Sequence, residues 1–198
     1  MLNCILRFIL IEIVFRTTVH QTLEDRNNVD YIEDHGPFPV RDIKNSYLGA
    51  GTYFWDDHIE LAHWWGRIRI KGAYVVCEGK LEVGRNDFFD LVGSRQDMIH
   101  LRELVSTFNL GDLSLGEIIE YLKGIARNPG KEGIFPFKVI RVLDSSTTSY
   151  EQEWIKFSDN RNGITSLSPI YIICLIGKTN LYLRSYRVIY PESYSQDV

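Results

Sequence analysis

With 198 residues, 22 lysines and arginines against 26 aspartates and glutamates, and a net charge of −4, the chain has the length for one domain spanning 1–198 with a proper core. It lacks the overall basic field that advertises nucleic-acid binding. A hydrophobic content of 44% and a charged content of 24% are ordinary for a globular protein. Cys4, Cys77 and Cys174 form an odd, widely spaced set without a paired metal motif. Cys77 and Cys174 lie in apolar runs and read as buried thiols, which suits a reducing, cytoplasmic setting.

The stretch from Ile5 to Phe15 is strongly apolar, but Arg7 and Glu12 interrupt it and no small-residue cleavage site follows. It is too short and too charged to span a membrane, so it reads as a first core strand. Phe8 to Thr18 continues as a buried strand, mostly β-branched or aromatic. Arg16, at the end of that strand, needs solvent or an anion as partner. Val19 to Arg26 fits a short helix. Asn27 to Lys44, with Gly36, Pro37 and Pro39, reads as a long loop, and long loops in compact domains are often functional.

Next comes Tyr47-Leu48-Gly49-Ala50-Gly51-Thr52-Tyr53-Phe54-Trp55-Asp56-Asp57. Gly49 and Gly51 permit positive φ or a close backbone approach. Tyr53, Phe54 and Trp55 favour an extended strand with side chains to alternate faces. Asp57 with Glu60 three positions on suggests a helix cap, and Ile59, Ala62 and Trp65 recur at helical spacing.

After that helix, Gly72 to Val83 alternates as a strand, and Phe88 to Val92 fits a short one. Two capped helices follow, one from Ser94 with Asp97 and one from Ser114 with Glu117, ending at Asn128-Pro129-Gly130. Phe137 to Leu143 and Trp154 to Phe157 read as strands, Asp144 to Tyr150 as a polar loop, and Asp159 to Ser168 as a turn-rich loop. Ile170 to Ile176 and Leu181 to Tyr190 read as a hairpin around Gly177-Lys178-Thr179-Asn180. Strands and helices are segregated, which argues α+β rather than a doubly wound parallel sheet.

The glycine segment resembles that of ADP-ribosyltransferases, in the branch shared by diphtheria-type toxins and poly-ADP-ribose polymerases. Gly49, Gly51, Tyr53, Phe54, Asp57, Ala62 and Trp65 fill the family's glycine-x-glycine-x-tyrosine-phenylalanine, acid and helix positions. The match is specific over about twenty residues. It implies a split antiparallel β-sandwich with helices packed around it and an NAD cleft. It also implies cleavage of the nicotinamide–ribose bond through an oxocarbenium-like transition state. Small members of this kind act as intracellular toxins or defence effectors on a macromolecular acceptor, protein or nucleic acid, and a neutralising antitoxin is the partner implied.

The resemblance assigns three elements. On the first strand, Phe15-Arg16-Thr17-Thr18 places Arg16 where the family has histidine or arginine, with Thr17 or Thr18 to orient it or bond the nicotinamide amide. His20 lies beyond that position and ranks below it. On the second, Tyr53 stacks on nicotinamide, Phe54 points to the core or the opposite wall, and Gly49 and Gly51 let the main chain approach the ligand. The third has two placements. Tyr150-Glu151-Gln152-Glu153 resembles the glutamate-x-glutamate turn of arginine-modifying toxins, with Glu153 on the ribose hydroxyl and Glu151 guiding the acceptor. The late strands resemble those closing the polymerase branch, where the acid position falls on Ile170 or Tyr171, neither of which is an acid.

The residues by themselves also fit plainer roles: a core strand-turn-helix corner, a strand-end arginine in a salt bridge, and glutamates on a solvated loop edge. Beside transfer stand an NAD glycohydrolase, with water as acceptor, and a catalytically silent relative that binds a nucleotide or a protein. His35, His58, His63 and His100 show no metal-binding spacing, and there is no P-loop or dinucleotide fingerprint. The expectation is one cleft in which Arg16 faces Tyr53.

Overall fold

A computed structural model describes residues 13–40, 46–144, 154–158, 161–177 and 181–194. Its elements are β1 (Ile13–Glu24), α1 (Val29–His35), β2 (Thr52–Asp56), α2 (Ile59–Arg69), β3 (Tyr74–Gly84), β4 (Phe88–Asp90), α3 (Arg95–Thr107), α4 (Leu115–Ala126), β5 (Val139–Asp144), β6 (Trp154–Ser158), β7 (Arg161–Ser166), β8 (Ile170–Leu175) and β9 (Leu183–Tyr190). Seven strands make one sheet in the order β4-β5-β8-β2-β1-β3-β9, and β6 and β7 pair apart from it. The class is α+β. The sheet is mixed rather than wholly antiparallel, because β4 runs parallel to β5.

The sheet is nearly two. β1 and β3 stay in register from Phe15 opposite Val83 to Glu24 opposite Tyr74, after a register shift between Ile13 and Phe15. β1 and β2 share only two registered pairs, Val19 with Asp56 and His20 with Trp55. That narrow seam joins a β4-β5-β8-β2 half to a β1-β3-β9 half. Side chains alternate across each strand, so Val19, Leu81 and Val83 share the inner face of one half. They pack on Phe54, Phe88, Val139, Ile173 and Leu175 from the other. The far face of the β2 half carries Phe89, Ile140, Ile172 and Cys174 under Leu104 of α3 and Ile118, Ile119 and Leu122 of α4. Truncating a fully buried residue such as Ile119 or Leu122 to alanine costs about 2–5 kcal/mol. Helix α1 covers one end of the β3 half, setting Ile32 against Val75, Cys77 and Val188.

Local chemistry explains the helix starts. Ser94 accepts a hydrogen bond from the Asp97 amide, and Ser114 with Glu117 closes a full capping box; such caps contribute about 0.5–2 kcal/mol each. The expected Asp57 cap is not formed. The cap position of α2 is His58, whose side chain makes no capping bond, and Asp57 instead takes a left-handed turn at φ 49°. Aspartate tolerates that region better than most residues.

Four further expectations are corrected, the first being the Asp159–Ser168 loop, of which Arg161–Ser166 form β7 paired with β6. Val19 to Glu24 continues β1 and is not helical, because its threonines, valine and leucine suit a pleated strand and β3 supplies a partner throughout. The Asn27–Lys44 loop contains α1. The final strands are no hairpin: β8 lies between β2 and β5, whereas β9 crosses to the edge beside β3. Most of the Ile5–Phe15 segment, and Cys4, lie outside the described residues. Cys77 and Cys174 are free and buried, with thiols pushed up by burial to about 11 and about 12. No described helix is long and apolar enough to cross a membrane.

Candidate functional site

The glycine segment forms a turn clasped from within the protein. Gly49 has φ 79°, the left-handed conformation that glycine adopts without a Cβ penalty. The Ala50 amide donates to Glu120 Oε1 at 2.6 Å, and Lys123 Nζ donates to the Ala50 carbonyl at 2.8 Å. Both partners come from α4. A Cβ on Gly49 would collide with the Glu120 carboxylate, and one on Gly51 would collide with Cys174 Sγ and sit 2.8 Å from the Leu175 carbonyl oxygen. Both glycines are therefore required by α4 and β8.

Tyr53 is tied into the same turn. Its hydroxyl donates to the Gly49 carbonyl at 2.6 Å and accepts from the Leu48 amide at 2.8 Å. Burial pushes the phenol well above its ordinary range. Its ring lines a hollow of about 270 Å³ with Phe38, Tyr47, Trp55, Trp65 and Ile172. Phe54 turns to the opposite face and is 2% exposed in the core between the halves.

Arg16 lies elsewhere. Its Nε sits 3.2 Å from Glu82 Oε1 on the outer face of the β1-β3-β9 half, and its side chain is 69% exposed. Arg184, through a 2.7 Å bond, and then Arg16 hold the Glu82 carboxyl below its usual range. The seam places Tyr53 level with Thr22, six residues from Arg16, or roughly 20 Å along the strand at about 3.3 Å per residue. Arg16 lines neither hollow described here. The structure does not bring Arg16 and Tyr53 face to face. Thr18 accepts from Lys80 Nζ at 2.8 Å on that same outer face. His20 is 4% exposed, its Nδ1 has no hydrogen-bond partner, and burial lowers its pKa against the pull of Glu78 and Asp57.

Thr17 points the other way, into a charged hollow of about 440 Å³ at the opposite end of the seam. Its Oγ1 donates to Asp56 Oδ1 at 2.6 Å, and Arg141 Nε donates to Asp56 Oδ2 at 2.7 Å. The Asp56 and Arg141 side chains are 3% and 16% exposed. The Arg141 guanidinium lies over the Phe15 ring at 4.9 Å and the Tyr171 ring at 4.5 Å, an electrostatically favourable setting for a cation. Its Nη1 is also 3.9 Å from Asp90 Oδ1. Asp57 and Glu60 line the rim. The result is a carboxylate held by two donors, next to a desolvated guanidinium and two aromatic faces.

Of the third element, Ile170 is buried in the core and Tyr171 lines the charged hollow. Glu151 and Glu153 lie outside the described residues. Asp56 and Arg141 were missed by the sequence reading. The signal was present for both: a charge closing an aromatic strand, and an arginine inside the run Val139-Ile140-Arg141-Val142-Leu143. A buried charge demands a partner. Among the described residues no group of three or more His, Cys, Asp or Glu is placed to hold a metal ion. Comparison of the chain with protein-family models, curated proteins and solved structures finds no match in any of the three.

Proposed function

We propose that this chain is an NAD-consuming ADP-ribosyltransferase whose reactive site is the charged hollow beside the seam. One observation carries the reading. That hollow collects Thr17 of β1, Asp56 at the end of β2 and Tyr171 at the start of β8, a residue from each strand to which the resemblance assigns an element, around the half-buried Arg141 of β5. On this reading Arg141 supplies the guanidinium that the motif places at Arg16. Asp56 supplies the acid that Ile170 and Tyr171 lack. A carboxylate pre-oriented by Thr17 and Arg141 in a partly dehydrated hollow is suited to stabilising positive charge at a ribose carbon as nicotinamide leaves.

The test is incubation with labelled NAD and a cell lysate, with release of nicotinamide followed in parallel. The wild type releases nicotinamide and labels a macromolecule, while Asp56→Asn, folded by circular dichroism, loses activity by about two orders of magnitude. Unchanged turnover in the folded variant, or no NAD binding by the wild type, overturns the proposal. Free ADP-ribose without a labelled macromolecule identifies water as acceptor.

A second reading is NAD binding without turnover. It is favoured by the commitment of the Tyr53 hydroxyl to the glycine turn and by both Asp56 oxygens already accepting hydrogen bonds. Saturable NAD binding with no nicotinamide release selects it.

A further inference from the structure

His20 sits in the seam itself, opposite Trp55. It is buried, and among the described residues its Nδ1 has no hydrogen-bond partner. Its Nε2 lies 3.9 Å from Glu78 Oε2, too far for a hydrogen bond. Side chains alternate along β1, so His20 shares a face with Thr22, whose Oγ1 donates to the Ala62 carbonyl of α2 at 2.8 Å. That is the face α2 covers. The charged groups that bear on the ring are Glu78 and Lys80 of β3, Asp57 at the corner after β2, and Glu60 of α2. The three carboxylates draw a proton to the ring and Lys80 repels one, but burial outweighs the carboxylates and favours the neutral form.

The attachments around His20 are unequal. β1 is registered with β3 from Phe15 to Glu24, and β2 with β8 from Thr52 to Trp55. Between β1 and β2 the ladder is only Val19 with Asp56 and His20 with Trp55, followed by the Asp57 amide on the Thr18 carbonyl at 2.8 Å. Hydrating the ring from the β3 side breaks a long ladder. Hydrating it by parting β1 from the corner between β2 and α2 breaks a short one, and local openings follow the cheaper route.

We propose that His20 is an acid-sensitive catch on the seam: a proton on its ring frees the β2–α2 corner from β1, while β1 stays on β3 and β2 stays on β8. The corner carries Asp56, Asp57, His58 and Glu60, all of which line the charged hollow, and Asp56 is bonded there to Thr17 of β1 at 2.6 Å. Freeing the corner takes the hollow apart, so acid acts against whatever the hollow binds. The catch does not depend on NAD turnover and is read from the backbone.

The test is hydrogen exchange of the full chain by NMR at pH 7.5 and 5.5, each rate divided by its intrinsic value at that pH. The reporter is the Asp57 amide. The reference is the Glu82 amide of β3, which bonds the Tyr182 carbonyl at 2.9 Å. Asp57 protection is expected to fall at least about three-fold on acidification, with a ceiling of about ten-fold set by an exposed imidazole of pKa about 6.5. Glu82 protection should hold, and in His20→Gln the Asp57 fall should vanish, which separates His20 from His58 and His63 on the same corner and helix. Unchanged Asp57 protection, an equal fall at Glu82, or a fall that survives His20→Gln overturns the proposal. So does a wild-type His20 ring signal that titrates at or above the ordinary histidine range, a measurement that needs no variant to fold.

Discussion

Removing Arg141 tests the site most directly. In the wild type, Arg141 is the cationic donor to Asp56, whose side chain is 3% exposed, and Thr17 is its other donor. Arg141→Met keeps much of the length and apolar stem but strands a carboxylate in the protein. Breaking one side of a buried ion pair costs about 3–5 kcal/mol. Loss of the stacked guanidinium between Phe15 and Tyr171 adds to this, at about 0.5–2 kcal/mol. Adding Asp56→Asn removes the stranded charge and leaves Thr17 an amide oxygen to bond. The double variant should therefore recover about 2 kcal/mol of what the single one loses. Urea unfolding followed by tryptophan fluorescence reads this out. With a slope of about 2–3 kcal/mol per molar, Arg141→Met should lower the midpoint by about 1–3 M and the double variant by clearly less. A loss under about 1 kcal/mol for Arg141→Met refutes the reasoning. So does a double variant no more stable than the single, because Asp56 would then not depend on Arg141.

Tyr53→Phe removes a hydroxyl that both donates to Gly49 and accepts from Leu48; it should cost about 1–3 kcal/mol in chemical denaturation, whatever its effect on NAD. Gly49→Ala combines a left-handed backbone with a collision against Glu120, and should cost at least about 2 kcal/mol, whereas Gly124→Ala, in open space on α4, should be neutral or mildly stabilising by thermal melting. The folded-state pKa of His20 is lowered by burial against the pull of Glu78, Asp57 and Glu60, with Lys80 aiding the burial, so the unfolded chain takes up that proton first. The stability contributed by neutral His20 is complete above about pH 6.5 and is lost as pH falls below it, by up to about 1.4 kcal/mol per pH unit. His63 shifts in the same direction, so the measure is the difference between wild type and His20→Gln in midpoints at pH 7.5 and 5.5, and an unchanged difference refutes it.

What could be read from the sequence was local. The caps at Ser94 and Ser114 rest on partners three residues away, and both form. The glycine turn was legible as a turn, because positive φ at Gly49 is a property of that residue. Its clasp was not, since Glu120 lies 70 positions from Ala50 and nothing near either residue announces the pairing. The last two strands follow the same pattern. Their alternation identified them as strands, but which neighbours they chose depends on sheet order, and that sent β8 and β9 to different places. Arg141 is a different kind of omission. The rule that drew attention to Arg16, an arginine in an apolar strand, applies more strongly at Arg141, which has apolar residues on both sides. Arg16 sits on the solvated face and Arg141 on the enclosed one, so the same argument pointed first at the residue that needed its partner less.

The seam also explains why there are hollows at all. Past His20 and Trp55 the ladder between β1 and β2 stops, and backbone groups there would go unpaired without a substitute. Gln21 provides one. Its Nε2 donates to the Phe38 carbonyl at 2.8 Å and reaches the Tyr53 carbonyl at 3.5 Å. Its Oε1 accepts from the Phe38 amide at 3.2 Å and from the Tyr186 hydroxyl at 2.6 Å. A side-chain amide thus stands where a strand backbone would continue, and it ties the chain after α1 to both halves. At the other end, Thr17 and Arg141 meet Asp56 where β2 stops, and the Asp57 amide bonds the Thr18 carbonyl at 2.8 Å as the chain turns toward α2. At both ends the halves are held apart by satisfied polar groups rather than by poor packing. Buried hydrogen bonds of this kind are costly to leave unmade, so the groups that border the two hollows are the same groups that complete the polar pairing at the ends of the seam.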